Sequence, residues 1–191
     1  MSERATLFDA GFTQTSEAVL SDDGRHRYRL TRTWQPGLPV MVWVMLNPSI
    51  ADAIEDDATI RRCKGYARLE GCGGIVVVNL YAYRATSPQD MLAQSLDDAI
   101  GPLNDQYVTE ELAVAATEGW PVVVGWGVHA EQTRADWLRS RAESMGAPLL
   151  CVGVTKSGAP RHPGRGSYVP LQPWPAPLAV VGVVTDQTWK D

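Results

Sequence analysis

No apolar run in this sequence approaches the roughly 20 residues that a membrane-spanning helix needs, so no membrane partner is expected. The opening residues, MSERATLFDAG, lack the apolar centre of a secretory leader, and a cytoplasmic location is the expectation. Cysteine is scarce: Cys63, Cys72 and Cys151 form no paired framework and no CxxC, which points to reduced thiols. With the scattered histidines they give no zinc spacing. GxSxG, GxGxxG after a strand, and HExxH are all missing. Thr155-Lys156-Ser157 has the end of a phosphate-binding loop without its upstream glycines. No cofactor, no metal and no obligate protein partner are therefore expected. Carboxylates are absent from Ser144 to Thr185, a stretch that holds Lys156, Arg161 and Arg165.

What is present is an ordinary globular composition. The 191 residues are 45% apolar and 20% charged, with a net charge of −5 and a pI near 5.2. That suits one domain, 1–191, with a loose lead-in over 1–16 and a Pro-rich extension over 170–191. The acidic balance excludes a uniformly cationic coat but not a local nucleic-acid groove.

Strand and helix patterns alternate along the chain. Glu17–Leu20 and Arg25–Trp34 flank Ser21-Asp22-Asp23-Gly24, which predicts a hairpin. Polar and apolar residues alternate in His26-Arg27-Tyr28-Arg29-Leu30, as in an edge strand. Val40–Leu46 is apolar throughout, as a strand covered on both faces should be. Asp56 or Asp57 can cap a helix running to about Glu70, with Arg61, Lys64 and Arg68 on one face. Ile75–Leu80, Pro121–Val124 and Leu149–Val154 are further strands. Helices are predicted from Ser87-Pro88, over Asn104–Glu118 and over Ala130–Met145, and one more strand over Leu178–Val184. The order predicts a three-layer α/β/α fold with a mainly parallel central sheet and an N-terminal β-hairpin.

In open sheets of this kind ligands bind at the carboxyl ends of the strands. The unusual polar residues fall there: Asn47-Pro48-Ser49, Asn79, Gly125-Trp126-Gly127, and Lys156 with Arg161-His162-Pro163. Asn47 suits a pocket floor or an ordinary Asn-Pro-Ser turn. Asn79 interrupts a buried strand, and its amide needs partners from a nucleobase edge or from nearby backbone. His162 is a candidate acid or electrostatic stabiliser, or an exposed loop residue. Arg61, Lys64 and Arg68, with Lys156, Arg161 and Arg165, are candidates for a phosphate track, or a solvated face. Asp52, Glu55, Asp56 and Asp57 suit a capped helix start, with Mg²⁺ binding as the other reading.

The run from Tyr28-Arg29-Leu30 through MLNPSIADAIEDDATIRRC, VVNLYAYRAT, GPLND, WG and VTKSGAPRHP resembles a bacterial and phage family known as domain of unknown function 1643, over about residues 25–174. More distantly, Leu46-Asn47-Pro48-Ser49, Val76-Val77-Val78-Asn79, Gly125-Trp126-Gly127 and His162-Pro163-Gly164 resemble, in order and spacing, the motifs of the uracil-DNA glycosylase superfamily. That resemblance implies a uracil-DNA-glycosylase-like fold and a DNA partner, modified or single-stranded. Asn47 would position a water, and Asn79 would read a flipped base together with Pro48, Ser49 and Tyr81. His162 would stabilise the departing base. Tyr66 is a second candidate for the stacking aromatic. The chain departs from the pattern at Met45-Leu46, where the superfamily has glycine, and at Gly164, where it has serine. The expected function is a glycosylase-like protein that binds a flipped base and hydrolyses its N-glycosidic bond, with a non-catalytic nucleic-acid or nucleotide binder as the alternative. A hydrolase built on Ser49, His162 and a carboxylate of the 52–57 cluster is a weaker third reading, since no nucleophile elbow is present.

Overall fold

The computed structural model describes residues 14–49, 56–164 and 166–175. The 178–184 strand, most of the lead-in, Asp52, Glu55 and Arg165 lie outside them. The hairpin forms as expected: β1 (Thr15–Leu20) and β2 (Arg27–Thr33) pair antiparallel. The apolar runs become β3 (Val40–Met45) and β4 (Gly74–Asn79), and shorter runs become β5 (Val122–Val124) and β6 (Leu149–Cys151). A two-residue β7 (Gln172–Pro173) in the Pro-rich segment adds to the far edge. The seven strands lie in the order β1-β2-β4-β3-β5-β6-β7. Only the central four are parallel, and the hairpin and β7 extend them antiparallel.

The His26–Leu30 segment is not an edge strand. β2 sits inside the sheet between β1 and β4, and Tyr28 and Leu30 are buried. Its alternation comes instead from the two protein layers it separates, because its polar side chains reach partners on both.

Among the described residues five helices cover the faces. α1 (Ala58–Leu69) follows β3, and the Asp57 side chain caps it by accepting from Ile60 N at 2.8 Å. Its Ile60, Cys63 and Ala67 pack on Met41, Trp43, Ile75 and Val77. The opposite face carries α2 (Pro88–Leu92), α3 (Leu96–Ile100), α4 (Asn104–Glu118) and α5 (Gln132–Met145). Here Val108, Leu112 and Leu138 cover Val42, Val44, Val76 and Val78. Alternate residues of β3 and β4 thus enter different cores, which is why β3 is apolar throughout and β4 is apolar up to Asn79. α3 has no counterpart in the sequence reading, because its five residues are too few to show a helical period.

The chain leaves β3 for the α1 face and leaves its neighbour β5 for the other face. A crevice opens between two such diverging loops, at the carboxyl edge of the sheet.

Candidate functional site

A cavity of about 450 Å³ occupies that crevice. Asn47, Asn79, Trp126 and His162, one from the segment after each of the four parallel strands or from the strand's last residue, all line it, with Ser49 beside them. Met45, Leu46, Ile60, Val77 and Ala85 make much of the remaining wall apolar.

The segments that carry the polar side chains are held by identifiable contacts. Asn47 Nδ2 donates to Pro48 O at 3.2 Å and to Ala85 O at 3.1 Å. Its Oδ1 meets no donor among the described residues and is left for a water or ligand. Asn79 is 1% exposed, and its Nδ2 has no acceptor. Its carbonyl accepts from Asn104 Nδ2 at 3.0 Å, and the next carbonyl, Leu80 O, accepts from both Asn104 and Arg134. These two side chains of the helix layer fix the end of β4 and so aim the Asn79 amide. Asp57 caps α1 and accepts from Ser49 Oγ at 3.2 Å while facing the cavity.

His162 lies on a loop seated by two glycines. A Cβ on Gly125 would stand 3.1 Å from Pro163 Cδ, and Gly127, at φ 75°, donates its N–H to Pro160 O at 2.9 Å. The outer part of the loop is clamped by α1. Arg62 donates to Pro163 O and Ser167 O and stacks 3.7 Å from the Tyr168 ring centre, and Tyr168 fills the space left by Gly65. The His162 ring is partly open to solvent. Crowding by the cavity wall nonetheless pushes its pKa below the ordinary 6.5, opposed by the charge of Asp57. The neutral imidazole is favoured, one nitrogen donating and one accepting.

The family model described as protein of unknown function, DUF1643, matches residues 27–164. The chain belongs to the DUF1643 family. Every residue lining the cavity falls inside the matched span. A solved structure, the esterase LipW from Mycobacterium marinum, aligns at 21% identity and TM-score 0.39 over 80% of this chain. The chain spans 50% of that structure's length, and so loose a likeness says nothing of chemistry. No curated protein matches the chain.

Other DUF1643 residues singled out in the sequence lie elsewhere. Tyr81 does not reach the cavity: it is 1% exposed in the helix-layer core, and its hydroxyl accepts from Glu131 N. Tyr66 is likewise buried, against Trp43 and Tyr168. The aromatic in the wall is Trp126, braced edge-on by Trp174. Pro48 is buried and shapes the turn through its carbonyl without lining the cavity. Lys64 is not part of a phosphate track. It is 8% exposed, and its Nζ donates to Asp56 at 2.6 Å and to Gln14 at 2.5 Å. The i, i+3, i+7 spacing placed it beside Arg61 and Arg68, but the hairpin covers that part of the helix and leaves only those two exposed. Arg68 lies over Trp34. Lys156 and Arg161 are exposed on the loop after β6. Asp56 also binds Arg32 at 2.8 Å. Burial disfavours its charge, but hydrogen bonds from Lys64 and Arg32 outweigh this and hold its carboxyl below the ordinary 3.8. Among the described residues no His/Cys/Asp/Glu group could hold a metal, and no helix is long and apolar enough to cross a membrane.

One charged lining residue was not singled out in the sequence. Arg27, at the start of β2, is 6% exposed, faces the cavity, and has no partner for its Nε. Burial, then the nearby charge of Arg84, pushes its pKa down to about 10, against an opposing pull from Asp57. It stays a cation at neutral pH.

Proposed function

We propose that this DUF1643 protein binds a nucleobase turned out of a DNA strand and hydrolyses its N-glycosidic bond, on a uracil-DNA-glycosylase-like arrangement of loops. The observation that carries this reading is the meeting of Asn47, Asn79 and His162 in one largely apolar cavity at the switch point of the sheet. N-glycosidic cleavage develops positive charge on the sugar and negative charge on the base. Asn47, with its amide nitrogen tied to backbone, offers Oδ1 to a water approaching the sugar. Asn79 offers a buried, unpaired donor to the base edge. The neutral imidazole of His162 offers an N–H to the departing base. Trp126 supplies an apolar ring in the wall.

The test is incubation of the purified protein with DNA carrying uracil, hypoxanthine or hypermodified bases, followed by alkaline detection of abasic sites. Base release that disappears in Asn47→Ala is the expected result. No release across the panel removes the enzymatic reading. Salt-dependent DNA binding that survives Asn47→Ala without release supports the non-catalytic binder instead. One feature favours that second reading: the oxygen offered to the water belongs to an amide, a far weaker proton acceptor than a carboxylate.

A further inference from the structure

We propose that Arg27 and Asn79 form a subsite whose N–H donors select a 6-oxopurine through the paired acceptors O6 and N7. This rests on the nucleobase reading of the cavity and names the class of base.

Three observations carry it. The first is the absence of partners. Arg27 and Asn79 are 6% and 1% exposed, and among the described residues both keep an N–H donor without an acceptor, Nε in one and Nδ2 in the other. A buried donor left unmade is costly, and a buried cation without a counter-ion costs more, so such groups persist where a ligand completes them. Neither neighbouring carboxylate forms an ion pair with Arg27, although Asp57 is near enough to favour its charge. Asp57 accepts from Ile60 N and Ser49, and Asp56 from Arg32 and Lys64.

The second is how Arg27 reaches the cavity. Arg29 ion-pairs with Glu111 of α4, and Tyr28 stacks on Tyr107 of the same helix. Two consecutive strand residues face one layer because the register shifts there: Val19 pairs with Arg29 and Leu20 with Arg27, leaving Tyr28 as the extra residue of a β-bulge. Regular alternation would send Arg27 toward α4 with Arg29. The bulge turns it to the α1 side and into the cavity, the re-aiming that bulges perform beside binding sites.

The third is shape. A guanidinium is a planar fork of donors with no acceptor, and it matches two adjacent acceptors on one edge. O6 and N7 of guanine or hypoxanthine provide them, whereas adenine turns its amino group toward the fork. In uracil an N–H separates the two carbonyls. Cytosine pairs N3 with O2, but the cavity of about 450 Å³ suits the larger ring system. Asp57 lines the same cavity and keeps lone pairs beyond those taken by Ile60 N and Ser49, so it can accept the N1–H that a 6-oxopurine also carries.

Calorimetric titration of the full chain with hypoxanthine, adenine, cytosine and uracil tests the assignment. Hypoxanthine is expected to bind roughly 10- to 100-fold more tightly than the others, the discrimination of one bidentate contact. Arg27→Met should erase that preference while raising the melting temperature, since it removes a buried charge that no ion pair holds. Arg27→Lys should keep a cation and still lose most of the preference, because the fork is gone. Equal binding of all four bases, or tighter binding of cytosine, overturns the subsite and leaves the base pocket standing. So does an Arg27→Met protein that retains the preference or melts below the parent, which would make Arg27 a structural residue. Binding of none of the four overturns the base pocket itself and the subsite with it.

Discussion

Asn47 gives both amide hydrogens to backbone carbonyls, and this decides what its oxygen can do. Removing the side chain leaves Pro48 O and Ala85 O without those bonds and loosens the contact between the segments after β3 and β4. Asn47→Ala should therefore cost about 1–2 kcal/mol in urea unfolding, together with the loss of any base release. His162 makes a separate prediction. Its folded pKa lies below the ordinary 6.5, so the unfolded chain takes up more protons as pH falls through that value. Its contribution to stability is full above 6.5 and declines as pH drops toward the lower folded value. In His162→Asn, unfolding free energies measured at roughly pH 7 and 5 should differ less than in the parent. These residues were legible because each stands next to a strand pattern. Arg27 was not: in His26-Arg27-Tyr28-Arg29 it has the same sequence surroundings as Arg29, and only the bulge separates their fates.

α1 does three things for the site. Its start carries Asp57, its buried face seals one core, and its outer turns hold the loop that bears His162. A Cβ on Gly65 would stand 1.8 Å from the Tyr168 hydroxyl. Gly65→Ala should stabilise the isolated helix yet displace Tyr168. Faster amide exchange across 155–168 and weaker ligand binding are the expected readouts. The start of α1 is tied down by Asp56, which bonds to both Arg32 and Lys64. Asp56→Asn takes the carboxylate from two buried cations and should cost about 3 kcal/mol by denaturant unfolding. Because the Asp56 carboxyl is held below 3.8, this contribution is full above that value and lost as pH falls through the folded one. Elements with a clear period, α4 among them, could be read from the sequence almost to their ends. α3 and β7 were too short to carry a period.

At the scale of the molecule the charge balance limits how DNA can be held. With Lys64 buried, the cations left among those proposed are Arg61, Arg68, Lys156 and Arg161, all exposed, and Arg165, outside the described residues, on a chain of net charge −5. DNA binding measured by fluorescence anisotropy should weaken with salt along a log–log slope no steeper than about −4.5, since each neutralised phosphate contributes about −0.9. A slope near twice that would mean a different binding face. The sequence by itself determined the alternation of strands and helices, the two-sided burial of β3 and β4, and a helix cap at Asp56 or Asp57, because hydrophobic period and capping chemistry are local. The tertiary structure alone decided which polar residues meet. The meeting of Asn47, Asn79, Trp126 and His162 depends on strand order, the burial of Tyr81 and Lys64 on what packs over them, and the aim of Arg27 on one extra residue opposite β1. Those are relations between segments distant in the chain, and no local pattern encodes them.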